Sequence, residues 1–150
     1  MIVNKIIGNI EDFDIGSRTL ERLFLHYTDR GKRLIRGRTD KGTEIAICFE
    51  KGEQIKDGDI IYIDENKVII LEIQPIELIS IKPDNMKEMA HICYILGNRH
   101  VSIFIDEREN IVFTPFESLL WNYLKKFNFK IEKVKRKPPH ALQLSGHHHH

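Results

Sequence analysis

The sequence predicts an α+β protein: a small all-β domain over residues 1–74, a ferredoxin-like βαββαβ domain over 75–137, and a flexible tail over 138–150. Three observations predict it. Apolar and polar residues alternate through much of the first half, the period of half-buried strands. Beyond Pro75 two segments take the helical period, with strand patterns before, between and after them. Pro138-Pro139 then cannot continue a central strand, so the tail is expected to leave the fold there.

In the first half, segments 22–27 and 33–38 are expected to form an antiparallel pair. Ile45, Ile47 and Phe49 alternate with Glu44, Ala46, Cys48 and Glu50, which marks a strand with one buried face. Asp40-Lys41-Gly42 supplies a turn before it, and Lys56-Asp57-Gly58-Asp59 supplies another after it. The runs Ile60-Ile61-Tyr62-Ile63 and Val68-Ile69-Ile70-Leu71 are joined by Asp64-Glu65-Asn66, a hairpin pattern.

In the second half, 76–81 reads as a strand. Met86, Met89, Ala90, Cys93 and Leu96 then recur at helical spacing behind a capping-box pair, Asn85 and Glu88. Gly97 is expected to stop this helix, because glycine takes the left-handed backbone without a steric cost. Segments 101–105 and 111–113 read as strands joined by a charged turn. Thr114-Pro115-Phe116-Glu117 gives a cap, a first-turn proline and a reciprocal glutamate for a second helix. Phe116, Leu119, Leu120, Tyr123, Leu124 and Phe127 mark its apolar face, and Phe129, Ile131 and Val134 a closing strand. Both helices should cover one face of the sheet and leave the other open to a partner.

Composition narrows the function. At 150 residues, 41% hydrophobic and 30% charged, the chain suits a soluble globular protein with a core. A net charge of +1 gives no electrostatic case for nucleic-acid binding. No run approaches the roughly 18 apolar residues that span a bilayer, and 1–10 carries no cleavage-type signal, so no membrane partner is expected. Cys48 and Cys93 form no Cys-x-x-Cys pair, which fits reduced thiols in the cytoplasm.

Candidate chemistry centres on histidine. In Leu96-Gly97-Asn98-Arg99-His100 the imidazole follows a helix end at once, on backbone held from both sides. Such a group can bind nickel, copper or zinc, with copper favoured on raw affinity. One imidazole binds weakly, so two copies meeting across a two-fold interface would make the better site. His140 could add a ligand, as could His147, His148, His149 and His150. From His140 to His147 an extended chain covers roughly 23 Å. That last run of four, after Ser145-Gly146, reads equally as native sequence or as an appended tag.

Other residues invite blander readings. His26 and His91 lie in regular elements without a ligand partner and read as structural. Cys93 falls on the apolar helix stripe, as do Met86 and Met89, so core packing outweighs a nucleophile or a thioether site. Asp57-Gly58-Asp59 lacks the remaining ligands of a calcium loop and reads as a turn. No G-x-x-x-x-G-K-[ST] loop or H-E-x-x-H helix is present, and nothing points to an enzyme.

The element order, the Leu-Gly-Asn-Arg-His stretch and the histidine-bearing tail together resemble the UreE family of urease accessory proteins. Thr39-Asp40-Lys41-Gly42-Thr43-Glu44 and Asp57-Gly58-Asp59-Ile60 extend the resemblance into the first half. It implies an N-terminal domain like a chaperone peptide-binding module and a C-terminal domain that dimerises around its metal-binding histidine, here His100. It further implies a homodimer, or a higher oligomer around metal. The cargo would be Ni²⁺, with Zn²⁺ or Cu²⁺ also able to bind, delivered to the urease apoprotein with an accessory GTPase. Two other readings stand beside this nickel carrier. One is a protein-interaction module of the urease maturation complex whose metal binding is incidental. The other, RNA binding through the ferredoxin-like sheet, lacks stacking aromatics on strand 76–81.

Overall fold

A computed structural model describes residues 1–50, 53–139 and 142. They fall into two units, Met1–Gln74 and Pro75–His150.

The first unit holds two sheets. Strands β1 (Ile2–Val3), β4 (Leu34–Arg38) and β5 (Glu44–Cys48) form one, in the order β1-β5-β4. Strands β2 (Gly8–Asn9), β3 (Thr19–Leu25), β6 (Asp59–Ile63) and β7 (Lys67–Ile73) form the other, in the order β2-β6-β7-β3. Alternation decides which side chains meet. Val3, Ile35, Ile45 and Ile47 from the first sheet share a buried cluster with Leu23, Leu25, Ile69, Leu71 and Ile73 from the second. The intervening Val68 and Ile70 point to the opposite face, where Ile10, Ile15 and Leu20 cover them.

The hairpin over Asp64 is present: the Asp64 Oδ1 accepts from the amides of Asn66 at 2.7 Å and Lys67 at 2.9 Å. The expected pairing of 22–27 with 33–38 is not. β3 runs parallel to β7, with Thr19 opposite Lys67, while β4 pairs with β5. A short 3-10 helix, Tyr27–Gly31, explains the difference. His26 caps it through Nδ1, and the Asp29 carboxylate accepts from the His26 amide at 3.0 Å. This compact link carries the chain from one sheet to the other.

The second unit is a βαββαβ fold: β8 (Ile76–Lys82), α1 (Met86–Asn98), β9 (Phe104–Asp106), β10 (Ile111–Pro115), α2 (Ser118–Leu124) and β11 (Lys130–Arg136). Its antiparallel sheet has the order β11-β8-β10-β9. Ile79, Ile81 and Val112 pack against Ile92, Ile95 and Leu96 of α1 and Leu120 and Leu124 of α2, so both helices cover one face.

Several expectations give way here. The buried residues of α1 are Ile92, Ile95 and Leu96, whereas Met86 is 86% exposed and Ala90 is exposed. Leu119 likewise faces outward on α2. Thr114 and Pro115 belong to β10, and the α2 cap is Glu117, whose carboxylate oxygens accept from the Leu119 and Leu120 amides at 2.8 and 3.0 Å. A carboxylate at the N-cap does the work assigned to the threonine hydroxyl. The face opposite the helices is not open, because Leu78, Phe104 and Phe113 on it are buried, with the Arg136 guanidinium 4.7 Å from the Phe113 ring centre. Nor does the chain leave the fold at Pro138-Pro139. Pro138 is buried, and the Leu142 amide donates to the Ile103 carbonyl at 2.8 Å. The expected flexibility of the remaining tail falls outside the described residues.

Candidate metal centre

Helix α1 ends in a closed hydrogen-bond loop that sets the position of His100. Arg99 caps the helix with φ −92° and ψ 0°. The His100 amide donates back to the Gly97 carbonyl at 3.1 Å, and the Val101 amide to the Leu96 carbonyl at 3.4 Å. This pair of bonds is a Schellman closure, and it requires left-handed backbone at the residue just past the cap. That residue is His100, with φ +58°. Gly97, expected to stop the helix, lies inside α1 instead.

The closure is held on both sides. Leu96 is fully buried and Val101 packs against the same cluster, the apolar contact that accompanies such an ending. On the outer side the Arg99 guanidinium lies 4.3 Å from the Tyr123 ring centre, tying the end of α1 to α2. The imidazole between these anchors is exposed. It has no hydrogen-bond or ion-pair partner among the described residues. Its backbone is therefore ordered while its nitrogens remain free to take a ligand.

No other candidate joins it. Among the described residues there is no group of three His, Cys, Asp or Glu side chains able to hold a metal ion. His140, His147, His148, His149 and His150 lie outside the described residues. His26 is occupied as a cap, and His91 meets the rings of Phe127 and Phe129 edge-on at 5.2 and 5.4 Å. Burial pushes the Cys93 thiol up, away from the reactive thiolate, and its Sγ lies 3.9 Å from the Met89 Sδ.

The Asp57-Gly58-Asp59 turn is internally satisfied as well. Asp57 Oδ1 accepts from the Ile73 amide at 2.7 Å, and Asp59 accepts from Lys56 and Asn9 through its two oxygens. Gly58 supplies the left-handed residue, φ +86°. With its carboxylates so engaged, this is a turn.

The sequence singles out His100 as a candidate but not the closure that shapes its backbone. The legible signal was the five-residue spacing of Leu96 and Val101, which a Schellman ending predicts without any glycine past the cap. The Arg99–Tyr123 contact has no signature in the sequence.

Comparison with known proteins adds to this geometry. Residues 3–74 match the model of the UreE urease accessory protein N-terminal domain, and residues 76–150 that of the C-terminal domain. A urease accessory protein UreE from Flavobacterium johnsoniae is 37% identical over 135 residues, 89% of this chain and 81% of the relative. Proteins of the same description from Bacillus sp. strain TB-90 and Staphylococcus epidermidis are 32% and 34% identical, each match covering 99% of both chains.

Proposed function

Because the chain belongs to the UreE family of urease accessory proteins, we propose that it is a nickel metallochaperone delivering Ni²⁺ to the urease apoprotein. Its role is accessory to urease rather than enzymatic. The observation that carries the nickel reading is the exposed, unpartnered imidazole of His100 on a backbone closed by the Leu96–Val101 and Gly97–His100 bonds. A carrier needs a ligand held on ordered backbone yet free to exchange, and the closed backbone and exposed imidazole support that reading.

A homodimer sets two copies of His100 at one ion, since a two-fold axis brings a residue against its own mate. Further dimers can gather around a shared metal. Tail imidazoles complete the coordination. Among them His140 is the first choice, since it precedes the run that follows Ser145-Gly146. His147 to His150 are the less secure ligands. Imidazole donors accept Zn²⁺ and Cu²⁺ too, so nickel selectivity comes from supply and from the urease partners, the apoprotein and its accessory GTPase. The site of action is the cytoplasm. No helix among the described residues is long and apolar enough to cross a membrane.

Nickel titration calorimetry decides the matter, on the full chain and on one ending at Leu144, each with and without His100→Ala. The histidine variant should lose the tight phase in both lengths, and sedimentation should show a dimer. Unchanged affinity without His100 would sink the central site.

A further inference from the structure

Packing does not account for one flank of α1. Met86, Met89 and Cys93 stand at i, i+3 and i+7, a spacing that puts three sulfur-bearing side chains on one side of the helix. The sequence places all three on the apolar stripe, yet the buried residues of this helix are Ile92, Ile95 and Leu96. Met89 and Cys93 sit half-buried at the margin of the cluster, and Met86 is 86% exposed.

Two of the sulfurs meet. The Cys93 Sγ lies 3.9 Å from the Met89 Sδ, with the thiol as donor. Two sulfurs bound to one ion at about 2.3 Å each, at an angle of about 120°, stand about 4 Å apart. The pair therefore has the separation of two ligands without rearrangement.

In a closed core such a contact would be ordinary packing. This flank is open. A depression of 350 Å³ is lined in part by Asn85, Met86 and Met89. Ala90 and Gly97, four residues after Met86 and Cys93 and beside them on the helix surface, are small and exposed, and a Cβ on Gly97 would meet nothing within 4 Å.

The nearby oxygen donors are committed elsewhere. The Asp84 carboxylate pairs with the Lys130 ammonium at 2.7 Å, the Glu88 Oε1 accepts from the Asp84 amide at 3.1 Å, and the Asn85 Oδ1 accepts from the Glu88 amide at 2.8 Å. What faces the opening is two thioethers and a thiol. Soft donors of this kind select Cu⁺, whereas imidazole suits Ni²⁺, Zn²⁺ and Cu²⁺.

We propose that Met86, Met89 and Cys93 form a three-coordinate site for Cu⁺ on the flank of α1. The Met89–Cys93 pair receives the ion, and the exposed Met86 thioether swings over to complete the set. A copper–sulfur bond forms at Cys93 as its thiol proton passes to solvent; the thioethers donate lone pairs, and the metal stays Cu⁺. Burial keeps Cys93 a protonated thiol until then, so the affinity rises with pH. His100, seven residues further on, takes no part, which makes the site independent of the nickel reading.

Anaerobic titration of the full-length protein with Cu⁺, against a chromophoric Cu⁺ chelator, provides the test, together with X-ray absorption of the one-to-one complex. The copper should show a shell of three sulfurs. Met89→Leu and Cys93→Ser should each weaken binding at least tenfold, and Met86→Leu should remove one sulfur from the shell. His100→Ala should leave Cu⁺ affinity unaltered, and Ni²⁺ should titrate the Cu⁺-loaded protein as it does the metal-free one. If Cys93→Ser lowers the melting temperature, Met86→Leu, at an exposed position, and the sulfur shell of the parent decide. The proposal fails if the copper carries only nitrogen ligands, which would place it on the imidazoles, or if Met89→Leu and Met86→Leu leave affinity and shell unchanged. Displacement of the Cu⁺ by Ni²⁺ or Zn²⁺ would overturn it as well.

Discussion

Leu96 and Val101 close the end of α1 on one another, amide to carbonyl at 3.4 Å, with their side chains in a common cluster. The closure leaves His100 in left-handed backbone, where a side chain costs about 1 kcal/mol relative to glycine. His100→Gly should therefore raise stability to urea by about that amount while abolishing tight nickel binding. His100→Val, branched at Cβ, should lower it instead. Equal stability in all three proteins would remove the strain from this account.

Thr114 points a second prediction the same way. It is fully buried in β10, and its hydroxyl has no hydrogen-bond partner among the described residues. An unsatisfied buried hydroxyl costs about 1–3 kcal/mol. Thr114→Val keeps the shape and removes the polar atom, so the denaturation midpoint should move to higher urea. A lower midpoint would mean that the hydroxyl is satisfied in solution.

Glu21 joins the two sheets of the N-terminal unit. Its Oε1 accepts from the hydroxyls of Thr39 at 2.7 Å and Thr43 at 2.8 Å, and its Oε2 lies 3.3 Å from the Lys67 ammonium. Burial alone would push this carboxyl up; the three hydrogen bonds and the Lys67 charge outweigh it and hold the group below the usual carboxylate range. A lowered carboxyl pKa stabilises the fold above the unfolded value, and the benefit fades as pH falls through the folded one. Glu21→Gln should cost about 1.5–3 kcal/mol at pH 7. Its deficit against the parent should shrink on acidification, as read from urea curves at pH 7 and pH 3. A constant deficit would count against the charged pair.

What the sequence made legible was mostly local. Ile45, Ile47 and Phe49 alternate and are buried as read, and Asp64 closes its hairpin. The sheet order of the second unit follows from its strand and helix order. Errors arose where a residue had two competent uses. Thr114 could cap α2, but Glu117 caps it and the threonine stays in the sheet. Gly97 could leave α1 in left-handed backbone, but the apolar spacing of Leu96 and Val101 places the turn at His100. The pairing of 22–27 failed because its partner, β7, lies far along the chain, and strand patterns do not encode partners. His100 could be singled out from the sequence as a candidate ligand; the Arg99–Tyr123 stack exists only in three dimensions.

The parallel alignment of β3 with β7 also governs the order in which the protein can be made. Their paired residues lie nearly fifty positions apart, and β1 waits almost as long for β5. A chain emerging from the ribosome thus carries Leu23 and Leu25 unpaired until most of the first unit has been synthesised. The β9–β10 hairpin and helix α1, by contrast, close over a few residues each. β8 waits at least as long for β11, with Ile76 opposite Arg136, so each unit keeps apolar strands unpaired until most of it has been synthesised.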